Sequence, residues 1–120
     1  MIKNAEAEVF FAARSAHSDV GSELLESVKE LGEFEVCGNL KVCRSPYIVT
    51  ADIVFCGAAD MNATFWRLRP IDQQIAIATG AEQATISPEW VRIMLFRRDW
   101  PKPDLKHWAL RAYDFARNGK

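Results

Sequence analysis

The run Trp90-Val91-Arg92-Ile93-Met94-Leu95-Phe96, a basic Trp/Pro-rich turn and an amphipathic segment after it constrain this fold most. A strand and a helix with such faces are stable only when packed on a partner layer. The helix is expected at about 104–117, with Leu105, Trp108, Ala109, Ala112, Phe115 and Ala116 on one stripe. Asn118-Gly119 supplies its stop.

Upstream patterns add further elements. Residues 5–13 alternate polar and apolar side chains, which argues for a half-buried strand, although the many alanines keep a helix open. Val20, Leu24, Leu25, Val28 and Leu31 fall on one helical stripe behind Ser18 or Asp19 as cap, so a helix is expected at about 19–31. Phe34 to Cys43 reads as a tight hairpin around Gly38-Asn39, with Cys37 and Cys43 on opposite faces and so not bridged. A longer strand is expected from Tyr47 to Cys56, with Tyr47, Val49, Ala51, Ile53 and Phe55 as its core face. Asn62 to Arg69 reads as a short helix or irregular connection, and Pro70 opens a helix at about 71–79, ended by Gly80.

The expected fold is α+β: a single two-layer domain spanning 1–120, with a mixed or antiparallel sheet of about four or five strands. About three helices pack mainly on one face. At 120 residues the chain can bury roughly 65–70% of its unfolded surface, so it needs neither disulfide nor metal to fold. Its composition, 49% hydrophobic and 26% charged, is that of a globular protein. No apolar run reaches the roughly 18–20 residues a membrane helix needs, and the N-terminus has no signal-peptide pattern. A cytoplasmic protein without membrane contact is the expectation. Three cysteines without Cys-x-x-Cys spacing, and histidines only at 17 and 107, give no zinc motif; reduced thiols, no metal and no cofactor are expected. Residues 1–84 carry seven Lys/Arg against twelve Asp/Glu, and residues 85–120 eight against four. Pairing of these charges across the surface is the simple outcome.

The Trp-Val strand start and aromatic-striped helix of the last thirty residues resemble the ends of two bacterial groups, the luciferase-domain proteins and small proteins with a frataxin-like fold. Gly38-Asn39-Leu40-Lys41-Val42 also resembles the second group. Any strand-then-helix packing produces such patterns, and no activity or site residue follows from them.

Three turns hold chemistry-bearing residues. In the first, Arg14 could clamp an anion beside Ser18 at a helix N-terminus, with His17 as proton carrier. Asp60, near Asn62 and Thr64, is a second acid–base candidate. Arg97, Arg98 and Trp100, with Trp66-Arg67-Leu68-Arg69 as a similar pairing, suit an anionic, planar or peptide partner. A pI near 6.1 without a nucleic-acid motif argues against nucleic acid. No convergent catalytic set or supported cysteine nucleophile stands out, so the reading leans away from an enzyme. It favours a non-catalytic module for a protein partner or for self-association, possible as a homodimer. The alternative is a small enzyme or ligand binder for an anionic metabolite, a nucleotide or sugar phosphate, at the carboxyl ends of the strands.

Overall fold

The structure, a computed structural model, describes residues 1–38, 45–96 and 102–119. Among them the chain forms α1 (Ala5–Ala12), α2 (Ser18–Val28), β1 (Glu35–Cys37), β2 (Tyr47–Thr50) and β3 (Ile53–Ala59). There follow β4 (Ala63–Arg67), α3 (Pro70–Ala78), β5 (Glu82–Gln83), β6 (Trp90–Met94) and α4 (Leu105–Asn118). The fold is α+β. One sheet runs in the order β1-β2-β3-β4-β6-β5, and every neighbouring pair is antiparallel. It has six described strands, against the four or five expected from the sequence.

Both faces of the sheet are covered. On one, α2, α3 and α4 share a core with Ile48, Phe55, Cys56, Trp66 and Val91. On the other, α1 packs with Val54, Phe65 and Trp90. The helices therefore lie mainly on one face, and α1 is the exception.

That exception corrects the strand expected at 5–13. Ala7 and Phe11, the buried residues of α1, are four apart, so they share a helical face as well as an alternating parity. With so narrow a stripe, the alternation carried no weight against alanine-rich helix propensity.

The strand expected across 47–56 is two strands. Ala51 and Asp52 both take positive φ, 51° and 62°, and close a two-residue turn between β2 and β3. Such primed turns match the twist of the flanking strands. Val49 pairs with Val54 and Ile48 with Cys56, which leaves Phe55 as the extra residue of a bulge. The bulge places Phe55 and Cys56 in the same core, so no single parity separates a core face from an outer one.

Asn62 to Arg69 is also corrected, because β4 lies at the centre of the sheet. Thr64 and Trp66 face one core while Ala63 and Phe65 face the other, and all four are buried. Of the hairpin expected at Phe34–Cys43, the first strand is β1, which pairs with β2, Cys37 opposite Tyr47. Its second strand, the Gly38-Asn39 register and Cys43 lie outside the described residues.

Phe11 anchors the α1 layer over Gly57. It stacks on Tyr47 at 5.9 Å and meets Phe65 and Trp90 edge-on at 5.8 Å each. Gly57 pairs with Tyr47 on one side and Phe65 on the other. A side chain at 57 would enter the Phe11 ring, since a Cβ there would lie 2.4 Å from ring carbons.

Candidate functional site

Two regions hold the residues worth weighing. The first is the sheet edge where β3 and β6 end. Each is antiparallel to β4, which lies between them, so β3 and β6 run in the same direction. An antiparallel sheet thus brings their carboxyl ends to one edge. The segment before α2 joins them: Ala16 bridges Asp60, with His17 N–H donating to the Asp60 carbonyl at 2.9 Å and Asp60 N–H to Ser15 at 2.7 Å. Asn62 closes the edge, its Oδ1 accepting from the amides of Leu95 (3.1 Å) and Phe96 (2.6 Å).

The side chains at this edge have internal work. His17 is the N-cap of α2, and its Nδ1 accepts from Asp19 N–H at 3.1 Å. The next two amides, of Val20 and Gly21, donate to the His17 carbonyl. The amides of His17, Asp19, Val20 and Gly21 at this helix end are thereby engaged within the chain, which leaves little of it for an anion. Ser18, the first helical residue, is exposed, and so is Asp60. The Arg14 guanidinium rests 3.8 Å from the Phe10 ring centroid. Arg97, Arg98 and Trp100 lie outside the described residues. The capping role gives a direct expectation. His17→Ala costs about 1 kcal/mol in denaturant unfolding, while His17→Asn, which keeps an acceptor, stays within a few tenths. Equal losses in the two variants would show that the cap contributes nothing.

The aromatic–basic pairing at 66–69 is a structural assembly. Trp66 and Leu68 are fully buried, and the Trp66 indole donates to Thr64 Oγ1 at 2.9 Å. Arg67 pairs with Glu89 at 2.6 Å and lies 4.0 Å from the Phe115 centroid; Arg69 pairs with Asp114 at 2.9 Å. Asp114 is held below the usual carboxylate range by the hydrogen bond from Asn118 and by Arg69. Burial pushes the Cys56 thiol well above its ordinary value, which removes the thiolate a nucleophile needs. Tyr47, desolvated and close to Cys37 and Glu8, is pushed up to about 12.

The second region is the surface built by α3 and α4, a region the sequence did not single out. Helix α3 is inverted in its amphipathicity. Its buried residues are Asp72, Gln73 and Ala76, whereas Ile71 and Ile75 are 59% and 48% exposed. Buried polar groups need partners; Asp72 Oδ1 and Gln73 Nε2 have them, while the buried Asp72 Oδ2 accepts no hydrogen bond among the described residues. Arg111 of α4 donates through Nε (3.1 Å) and Nη2 (2.9 Å) to Asp72 Oδ1, and Gln73 Nε2 donates to the Leu68 carbonyl at 2.9 Å. Ile71 and Ile75, four apart, share the outward face.

Ile75 also lines a cleft of about 390 Å³ between the end of α3, β6 and the start of α4. Ile93, Met94 and Trp108 give it further apolar surface, and Lys102, Asp104 and His107 its polar groups. The Asp104 carboxylate caps α4 by accepting from His107 N–H at 3.3 Å, and the His107 ring meets Trp108 edge-on at 4.6 Å. The periodicity of α3 is what could have revealed this surface, since Ile71, Ile75 and Ala78 recur at helical spacing.

No protein-family model, curated protein or solved structure matches the chain. Among the described residues no group of three His, Cys, Asp or Glu side chains could hold a metal ion, and no helix is long and apolar enough to cross a membrane.

Proposed function

We propose that this chain is a non-catalytic binding module that meets a protein partner through the outward face of α3 and the adjoining cleft. The carrying observation is the inversion of α3. Two isoleucines one turn apart face outward while an aspartate and a glutamine are buried in their place. Folding alone favours the opposite arrangement. An exposed apolar stripe beside a cleft is a feature of interaction surfaces, and spacing of i and i+4 is how a helix presents anchors to a groove.

The double substitution Ile71→Glu/Ile75→Glu tests this. Both side chains are largely exposed, so unfolding free energy stays within about 0.5 kcal/mol of the parent. Association, measured by light scattering for self-association and by calorimetry with a partner purified through affinity capture, weakens at least about tenfold, the equivalent of about 1.4 kcal/mol. Unchanged association in the folded double variant overturns the proposal.

A second reading, a site for a nucleotide or sugar phosphate near Arg14, His17 and Asp60, draws support from the convergence of the β3 and β6 ends with the turn before α2. The engagement of the His17, Asp19, Val20 and Gly21 amides within the chain counts against it. A thermal-shift screen with those ligands decides it, since binding to the native state alone raises the melting temperature.

A further inference from the structure

We infer that the start of α2 is an acid-sensitive switch: the neutral His17 ring accepts the Asp19 amide proton, and the protonated ring releases it and turns to the Asp19 carboxylate. Both partners stand at the same ring nitrogen. His17 Nδ1 lies 3.1 Å from the Asp19 backbone nitrogen, which donates to it, and 3.7 Å from Asp19 Oδ2. A ring nitrogen that accepts a hydrogen bond carries no proton, so the neutral imidazole holds its proton on Nε2. Both nitrogens of the charged ring are donors, which ends the first contact and makes an ion pair of the second. The two side chains are 43% and 74% exposed, so the carboxylate has room to turn and close the remaining distance.

The surrounding charges leave this exchange to the two residues. Among the described residues Asp19 is the one acid in ion-pair range of the ring. Arg14, in the segment before α2, has its guanidinium over the Phe10 ring at 3.8 Å. Asp60, in the turn between β3 and β4, is exposed and receives the His17 N–H through its carbonyl. Glu23, one turn along α2 from Asp19, is paired with Lys102 at 2.6 Å. Backbone bonds set the limit of the change. His17 N–H donates to Asp60 at 2.9 Å, and Val20 and Gly21 each donate to the His17 carbonyl at 3.1 Å; no titrating atom takes part. The first turn of α2 therefore stays in place, and the switch is confined to one amide and one charge. With the ring protonated, the helix start presents a free N–H donor and an imidazolium side by side; with the ring neutral, it presents neither.

The test follows the full chain, labelled with ¹³C and ¹⁵N, by NMR from about pH 8 to about pH 5, the range in which histidine side chains charge. The Asp19 amide proton and the Asp19 carboxylate carbon should move with the His17 ring on one midpoint. Protection of that amide against hydrogen exchange, relative to an unstructured peptide at the same pH, should fall about fivefold as its acceptor is lost. His107, the other histidine, is the comparison, since its ring titrates without moving Asp19. In His17→Asn, which keeps an acceptor that takes up no proton, the Asp19 amide stays still over the same range. An Asp19 amide or carboxylate that holds its position while the His17 ring titrates overturns the inference. So does an Asp19 response that persists in folded His17→Asn, because another group would then cause it. Should that variant not fold, the shared midpoint in the parent chain decides alone.

Discussion

Phe11→Ala is expected to cost about 3–5 kcal/mol, lowering the unfolding midpoint by roughly 10–25 °C. Phe11 is fully buried and touches four aromatic rings, those of Phe10, Tyr47, Phe65 and Trp90. Removing it takes away the contact that fixes α1 to the sheet, and rigid rings around the void limit collapse. The partner of this effect is Gly57. A methyl group there lies 2.4 Å from the Phe11 ring, so Gly57→Ala alone costs about 1–3 kcal/mol through overpacking. In the double variant the methyl enters space that the ring has vacated. The two losses therefore combine to less than their sum by about 1 kcal/mol or more. Denaturant unfolding of the four proteins measures this, and additivity within about 0.5 kcal/mol would mean that Phe11 and Gly57 do not form one packing unit.

This Phe11–Gly57 contact also marks where sequence patterns stopped being informative. The stripes of α2 and α4 were legible because each helix has one wide apolar face and one solvated face. Helix α1 has no such contrast: it buries only Ala7 and Phe11, and its remaining residues mix alanine, glutamate, valine and phenylalanine. Period-two arguments failed for a related reason in β3 and β4. Both strands are covered on both faces, so apolar side chains point both ways and alternation vanishes. The turn at Ala51-Asp52 carried no glycine or asparagine to announce it, although both residues adopt positive φ.

The candidate sites divide along the same line. A helix start beside His17 was legible, but the cap was expected at Ser18 or Asp19 and is His17. The meeting of the β3 and β6 ends was not, because it depends on β4 lying between them, and β4 was not read as a strand. The outward isoleucines of α3 were visible as a stripe, yet a stripe alone suggests burial. Only the observation that Asp72 and Gln73 occupy the buried face shows Ile71 and Ile75 to be an exposed stripe.

Asn4→Ala should approach the loss at Phe11 without removing any apolar surface. The Asn4 side chain reads both backbone groups of one residue in β3: Nδ2 donates to the Val54 carbonyl at 2.8 Å and Oδ1 accepts from Val54 N–H at 2.8 Å. Val54 is fully buried, so truncation strands a donor and an acceptor where water does not reach them. At about 1–3 kcal/mol for each group, the expected cost is roughly 2–5 kcal/mol. Asn4→Asp separates the two bonds. The introduced carboxylate still accepts from Val54 N–H, but its other oxygen faces the Val54 carbonyl, and only the protonated acid can donate there. The folded chain therefore holds that proton more tightly than the unfolded chain, whose carboxyl titrates at about 3.9. With more protons bound in the native state, stability falls as pH rises through this window and recovers on acidification toward about pH 4. Measured against the parent at each pH, Asn4→Asp should be closest to it near pH 4 and furthest below it at pH 7. A difference between the two proteins that does not change with pH would show that Nδ2 and the Val54 carbonyl contribute nothing to docking α1 on the sheet.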